Sequence, residues 1–519
     1  MTDFTNEPFT DFSDPANREA FQAALDAEIA RMGEAVPGFI DGVEIAPGED
    51  GSGELTSTNP CAPSEVVGVA PQCTSEHAER ALEAAAKAFL TWRDVPAAER
   101  AAVLFKAAEM MRSAKHEFSA LMVLEVGKNW AEADGDTAEA IDFMDFYARE
   151  AVRWDTAGRV TPVAGEANEL RYVPLGVGAV IPPWNFPNAI LCGMTSAAIA
   201  AGNTVVLKPA SDSPMIGLRV AHLLREAGVP DGVLNVIPGP GSKVGETMVN
   251  HAITRFISFT GSKEVGLGIY EKASRVGEGQ LWLKRVVAEM GGKDSILVDE
   301  TADLDEAAAG VISAAYGYTG QKCSACSRAI VHRDVYDEFV ERLKAGVAEV
   351  SVGDTRDNPA MGPLVSQSAY QTTLDYIAIG REEGELLAGG NAIETQAGGY
   401  YVEPTIFTGI APDARLSQEE VFGPVLAVIP CDDFEHGIEV FNNTEYGLTG
   451  ALYTNDESRI EEGKRRLHVG NLYFNRKCTG ALVGAHPFGG FNMSGTDSKA
   501  GGGDYLGLFL QAKTISTKV

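Results

Sequence analysis

In the first part of the chain, apolar positions recur at helical spacing. Phe21, Leu25, Ile29 and Met32 share one face of a predicted amphipathic helix over 15–35. A polar, glycine-rich stretch (APGEDGSGELTSTNP) follows and predicts a hairpin or loop. From Thr74, a residue suited to an N-cap, helical patterning runs to about Trp154 with breaks at Pro96 and Gly127. The period then changes. VGAVIPP, TVVLKP, VLNVIPG and RFISFTG are strand-like apolar runs, and helices are predicted to begin between them near Pro187, Ser213, Ser242 and Ser262. Strands alternating with helices imply an α/β fold with a parallel, doubly wound sheet. A second α/β set follows Glu289, with strands SILV, AIVH, LAVIP, ALYT and NLYFN and helices over 303–317, 334–348 and 433–442. Between the helical and strand-rich parts, Gly158 to Tyr172 alternates (RVTPVAG, LRYVP) in a way suited to a hairpin. No tandem repeat or low-complexity tract interrupts the pattern.

A chain of 519 residues is long enough for two or three domains with sizeable cores. The formal net charge of −31 argues against nucleic acid and against an anionic membrane surface as partners. Val173 to Leu207 carries no charged side chain except Lys208 just beyond it, a length that could span a bilayer. Pro182, Pro183, Asn185, Pro187 and Asn188 divide that run, so a buried strand, turn and helix is the expected structure. The N-terminal MTDFTNEPFTDFSD is acidic and lacks an apolar signal core, which makes the cytoplasm the expected location. Seven cysteines, scattered and odd in number, do not form a disulfide framework.

Candidate chemistry centres on Tyr318-Thr-Gly-Gln-Lys-Cys-Ser-Ala-Cys-Ser-Arg328. Cys323 has small neighbours that let a substrate approach and a cation, Lys322, beside it, as a cysteine nucleophile requires. Taken by itself the same residue could be a small buried hydrophobe. Cys326 completes a CxxC spacing, which would allow a disulfide with Cys323. A zinc site would need two further ligands at recognisable spacing, and none is present, so no metal is expected. Gly239-x-Gly241-x-x-x-Gly245 departs from the GxGxxG dinucleotide fingerprint and is a weak phosphate signal.

Seven short motifs sharpen this picture by occurring together: PWNFP (183–187), VVLKPAS (205–211), FTGS (259–262), EMGG (289–292), GQKC (320–323), EEVFGP (419–424) and PFGGFNMSGT (487–496). In this order, from about Thr58 to the C-terminus, they resemble the aldehyde dehydrogenase superfamily. The tail CTGALVGAHPFGGFNMSGTDSKAGG is similar to the branch that oxidises L-glutamate γ-semialdehyde, the 1-pyrroline-5-carboxylate dehydrogenases. The resemblance implies a Rossmann-type cofactor domain (1–157 and 173–290), an α/β catalytic domain (291–495) and a small oligomerisation flap with the tail (158–172 and 496–519).

By the same resemblance Cys323 is the nucleophile, Asn185 and the Cys323 backbone N–H stabilise the oxyanion, and Glu289 activates water for thioester hydrolysis. NAD would be held by Lys208 at the adenine ribose, by Ser262 and the helix after it at the phosphates, and by Glu420 and Phe422 at the nicotinamide ribose, with Gly245 nearby. Ser211 stands where many NAD-preferring relatives carry glutamate, so NADP is not excluded. At the far end of the substrate, Gly480, Ala481 and Ser324 would hold the α-carboxylate. Phe186 and Phe488 would flank its aliphatic chain, and Glu139 would be a polar residue near the entrance. His486 departs from the glutamine of relatives. The implied activity is NAD-dependent oxidation of L-glutamate γ-semialdehyde to L-glutamate in proline breakdown, by a homo-oligomer partnered with a proline dehydrogenase. The alternatives left open are a dehydrogenase of another semialdehyde, such as succinate semialdehyde, and a non-catalytic protein on the same fold.

Overall fold

The computed structural model describes residues 3–156 and 158–519. Two seven-stranded sheets organise it. In the first, the order is Arg285–Glu289, Thr254–Thr260, Val177–Ile181, Thr204–Leu207, Leu234–Val236, Gly38–Ile40, Val43–Ile45. The first five strands are parallel, and the short N-terminal pair closes the edge antiparallel. The chain enters in the middle at Val177–Ile181, runs to one side, then returns to Thr254–Thr260 on the other. That reversal is a topological switch point, where a crevice opens beyond the strand ends. These strands are buried on both faces and therefore carry continuous Val, Ile, Leu and Phe.

The second sheet runs Glu385–Ala388, Thr405–Thr408, Val425–Cys431, Cys326–His332, Asp294–Val298, Thr449–Tyr453, Asn471–Phe474. Only the Glu385–Ala388 edge is antiparallel. Its amino ends face the carboxyl ends of the first sheet, because Glu289 ends one strand and Cys323 precedes another, yet both line a single pocket. The chemistry therefore lies in the seam between the sheets.

The run 173–207 folds as expected into the strand Val177–Ile181, a proline turn, the helix Ala189–Ala200 and the strand Thr204–Leu207. No helix among the described residues is long and apolar enough to cross a membrane. Thr74 caps the helix Ser75–Trp92 in a capping box with His77. The polar stretch after residue 46 forms the strand Gly53–Asn59, paired antiparallel with Ala62–Gln72.

Two expectations need correction. The first helix ends at Ala30, not near 35; Gly33 takes a φ of +85° and Glu34–Ala35 pairs with Gly68 and Val69 instead. Phe21 and Leu25 are buried, but Ile29 is not. The 158–172 segment is not a local hairpin. Glu166–Pro174 pairs antiparallel, residue for residue, with the C-terminal Leu510–Lys518. Pro162 lacks an N–H for a ladder in the first half of the alternating segment, which leaves the second half to find a distant partner.

The helices Lys115–Glu125 and Pro214–Ala227 are joined by one buried carboxylate. Glu125 accepts from Met215 N at 2.7 Å, Ile216 N at 2.9 Å and Ser57 Oγ at 2.9 Å. It thereby satisfies free N–H groups at a helix start that has no side-chain cap. Burial nevertheless pushes its carboxyl up to about 7. Glu125→Ala leaves those donors unpaired and is expected to lower unfolding free energy by about 2–4 kcal/mol, measured by urea denaturation.

Candidate active site

Cys323 is presented by a backbone held in a costly conformation. Tyr318 and Thr319 take positive φ values of 51° and 59°, which side-chain-bearing residues adopt only when surroundings impose it. Here the impositions are explicit. Tyr318 Oη donates to Val126 O at 2.9 Å and Thr319 Oγ1 to Gly362 O at 2.9 Å. The Gln321 amide is buried; it donates to Pro363 O at 3.2 Å and accepts from Val365 N at 2.9 Å. Asn185 Nδ2 donates to Gln321 O at 3.0 Å, which orients the amide and leaves its second hydrogen uncommitted.

Two readings of this loop change. Lys322 does not serve Cys323 as a free cation, because its ammonium pairs with Glu132 at 2.6 Å. Burial and the charges of Asp294, Glu420 and Glu289 instead push the Cys323 thiol well above its ordinary range. Cys326 belongs to a strand whose register sends it into the core beside Cys478, while Cys323 faces the pocket, so a Cys323–Cys326 disulfide has no support.

Glu289 ends the strand Arg285–Glu289, where its side chain is partly buried and opens on the pocket that contains Cys323. It accepts from Gly490 N at 3.1 Å and from the Ser498 hydroxyl. A Cβ on Gly495 would approach Glu289 Oε2 to 2.9 Å, so glycine there leaves the acid its space. Burial outweighs both hydrogen bonds and pushes Glu289 up to about 7, where a carboxyl can act as a general base near neutrality.

The pocket containing Cys323 and Glu289 has a volume of about 120 Å³. Phe186 and Phe488 form part of its wall, and Ser324, Gly480 and Ala481 line it too. Glu139 also lines it, pushed up to about 8 by burial and by the charge of Asp136. Gly480 has φ +79°, a left-handed turn that suits glycine. The N–H groups of Gly480 and Ala481 find no acceptor among the described residues, and Thr479 Oγ1 is buried without a partner. Uncommitted donors lining a pocket are matched to an acceptor such as a carboxylate. His486 accepts from Leu482 N at 3.2 Å, so the departure from glutamine still supports this loop.

A second cavity, about 790 Å³, includes Ser262, Glu420 and Phe422. The helix Lys263–Ser274 begins there with no side-chain cap, so its first N–H groups are free for a phosphate. Glu420 accepts from Gly292 N at 2.9 Å and is pushed up to about 7 by burial. Lys208, Gly245 and Ser211 are not in this wall. Lys208 is buried at the sheet's carboxyl edge beside Gly245, donating to Pro209 O at 2.9 Å and Gly239 O at 3.3 Å. Burial lowers its ammonium to about 8. Ser211 lies exposed on the turn after it. A cavity with uncapped helix N–H groups for a phosphate and a carboxylate, Glu420, able to accept from sugar hydroxyls fits part of a dinucleotide, with the Lys208 ammonium outside its wall near Asp212. Among the described residues no group of three or more His, Cys, Asp or Glu could hold a metal.

Sequence reasoning missed other wall residues. Phe143, Met194 and Tyr505 line the substrate pocket, and Met290, read as packing, does so as well. Ser498 and Gly490, which hold Glu289, were also missed. Apolar residues in helical spacing give no sign that one of them faces a cavity, and a serine three residues before the Gly501–Gly503 run gives none either.

A thiol raised by burial and neighbouring carboxylates reacts slowly while protonated. Iodoacetamide labelling of Cys323 in the ligand-free protein is expected to be slow at pH 7 and to rise steadily to pH 9.5, read by peptide mass spectrometry with Cys323→Ala as the blank. Fast, pH-independent labelling would contradict the raised thiol.

The aldehyde dehydrogenase family model matches residues 48–515. A 1-pyrroline-5-carboxylate dehydrogenase from Geobacillus thermodenitrificans is 51% identical over 514 residues, 99% of each chain. A crystal structure of 1-pyrroline-5-carboxylate dehydrogenase from Thermus with bound NAD is 49% identical, with a TM-score of 0.98 over all of both chains. Proline utilization A from Bdellovibrio bacteriovorus is 44% identical with a TM-score of 0.96, over 99% of this chain and 53% of that one. A family match over nine-tenths of its length and relatives identical at half of their positions show that the chain belongs to the aldehyde dehydrogenase family.

Proposed function

We propose that this protein catalyses the NAD-dependent oxidation of L-glutamate γ-semialdehyde, the open form of 1-pyrroline-5-carboxylate, to L-glutamate in proline catabolism. The observation that carries the substrate is the pair of unpaired N–H groups at Gly480 and Ala481, in the same pocket as Cys323. An α-carboxylate placed there leaves a short aliphatic chain between Phe186 and Phe488, with the aldehyde at the sulfur. The Ser324 hydroxyl is a further donor to that carboxylate, and Glu139 a polar group at the entrance.

Cys323, once deprotonated, adds to the aldehyde carbon to give a thiohemiacetal. The free hydrogen of the Asn185 amide and the Cys323 backbone N–H stabilise its oxyanion. NAD, when bound, accepts the hydride that leaves this carbon. Lys208, Ser262 with its helix, Glu420 and Phe422 would hold the cofactor, with Gly245 beside Lys208. Ser211 presents no charge against a 2′-phosphate. A thioester on Cys323 remains. Glu289 then takes a proton from water, the resulting attack expels the thiolate, and L-glutamate is released.

The two sheets and the ribbon support a division into a cofactor domain (1–157 with 173–290), a catalytic domain (291–495) and a flap with tail (158–172 with 496–519). Assembly as a homo-oligomer is supported by exposed Tyr270, Val276, Leu281 and Leu283 near one edge of the first sheet. A cytoplasmic location and supply of substrate by a proline dehydrogenase complete the reading.

Cys323→Ala is expected to abolish NADH formation. Glu289→Gln is expected to give a burst of about one NADH per active site and then slow turnover, seen by stopped-flow absorbance. In the wild type, the base form of Glu289 grows as pH rises through about 7, so deacylation should accelerate over pH 6–8 and then level. The Gln variant should lose that rise.

Each charge-assisted hydrogen bond to the carboxylate is worth roughly 1.5–3 kcal/mol. The wild type should therefore favour L-glutamate γ-semialdehyde over butyraldehyde by about a hundredfold or more in kcat/KM. Ala481→Pro, which removes one N–H, should erode that preference by roughly tenfold or more while sparing butyraldehyde. Equal efficiency of the wild type on both would reduce the assignment to a general aldehyde dehydrogenase, and succinate semialdehyde in the same assay tests the neighbouring substrate.

A further inference from the structure

The carboxylate anchor depends on which way two peptide planes face. In a trans peptide the C=O and the following N–H point in opposite directions. The N–H groups of Gly480 and Ala481 belong to the peptide units whose carbonyls are those of Thr479 and Gly480. Arg476 Nη2 donates to both of these carbonyls, each at 3.0 Å. Whatever fixes the carbonyls toward Arg476 turns the two N–H groups away from it.

The arginine is itself fixed. Its guanidinium lies 4.4 Å from the centre of the Tyr473 ring, a cation–π contact at the end of the strand Asn471–Phe474. In a chain with 73 acidic and 42 basic residues, Arg476 has no carboxylate partner among the described residues. Its donors go to the loop backbone instead. Gly480 at φ +79° would otherwise be the most permissive joint in this segment, because glycine exchanges freely between left- and right-handed backbone.

We propose that Arg476 is a positioning residue for substrate specificity, clamping the Thr479 and Gly480 carbonyls so that the Gly480 and Ala481 N–H groups face the substrate carboxylate. This rests on the proposed anchor role of that loop. The planar fork of arginine suits two carbonyls on successive peptides; a lysine keeps the charge but not the fork. Arg476 does not touch the aldehyde, so its removal acts on binding of substrates that carry a carboxylate.

Steady-state kinetics of Arg476→Gln and Arg476→Lys with L-glutamate γ-semialdehyde and with butyraldehyde test this, beside Ala481→Pro. Arg476→Gln should raise KM for the semialdehyde about tenfold, weaken inhibition by L-glutamate about equally, and leave kcat and all butyraldehyde constants within about twofold. Arg476→Lys should recover only a minor part of the loss. Unchanged KM in Arg476→Gln, full recovery in Arg476→Lys, or equal damage to both aldehydes would each overturn the clamp. The anchor and the clamp fail separately. If Ala481→Pro loses preference while Arg476→Gln keeps it, the anchor stands and the clamp falls. If Ala481→Pro keeps the preference, the anchor falls and takes the clamp with it.

Discussion

Removal of water from the seam between the two sheets governs nearly every ionisable group at the site. Burial is the first cause of the upward shifts at Glu289, Glu420 and the Cys323 thiol, and of the downward shift at Lys208. Glu289 shows which effect wins. Two hydrogen bonds to its charged form, each worth roughly 1.5–3 kcal/mol, fail to return it to the ordinary carboxylate range. The same partial enclosure raises both Glu289 and the Cys323 thiol, which in the proposed mechanism suits a base near neutrality and requires the thiol to lose its proton before it adds to the aldehyde.

A dry seam is useful only if the reacting groups stay in register across it. Glu289 ends a strand of one sheet, and Cys323 precedes a strand of the other. The bridge between them is polar. Asn185, on the proline turn of the first sheet, donates to the backbone just before Cys323, and the buried Gln321 ties that backbone to residues 363–365. These bonds hold Tyr318 and Thr319 in left-handed conformations that cost about 1–3 kcal/mol each. The nucleophile's position is therefore set by a network rather than by packing alone. Loss of one member should shift the sulfur before it unfolds the protein.

How far the sequence revealed this follows from the kind of signal each feature leaves. The central strands of both sheets were legible, because strands buried on two faces must be continuously apolar, but the edge strands Arg285–Glu289, Gly38–Ile40, Val43–Ile45 and Glu385–Ala388, and Thr405–Thr408 beside the last, were not. Cys323, Glu289 and Asn185 were legible through motifs, and the structure gathers Cys323, Glu289, Phe186 and Ala481 into one cavity wall. The pairing of Glu166–Pro174 with Leu510–Lys518 was not legible in the alternation, which announces a strand but not its partner hundreds of residues away; only the family resemblance grouped the two segments. Nor was the true company of Cys326. A CxxC spacing suggests proximity, while the pleat of the strand sends that side chain to the opposite face. Arg476 was passed over because its partners are backbone carbonyls, which have no sequence signature.

The overall charge of −31 would seem unsuited to a ligand with a carboxylate and a cofactor with phosphates. Screening resolves this. At physiological ionic strength charges are felt over about 8 Å, so the ligand meets the groups lining its own path and not the molecule's total. At the mouth near Gly480 those groups are the cations Lys322, Arg476 and Lys477 together with Glu132, Asp134, Asp136, Glu139 and Asp142. Lys322 pairs with Glu132, Asp134 with Lys115 and Asp136 with Lys128, which leaves Arg476 and Lys477 as the cations there without a carboxylate partner among the described residues, facing Glu139 and Asp142. Lys477 is lowered by burial and by Lys322, whereas a guanidinium stays charged throughout the working pH range. The acidic surface can thus serve solubility, while at the proposed anchor loop the Arg476 guanidinium keeps a fixed charge bonded to the Thr479 and Gly480 carbonyls.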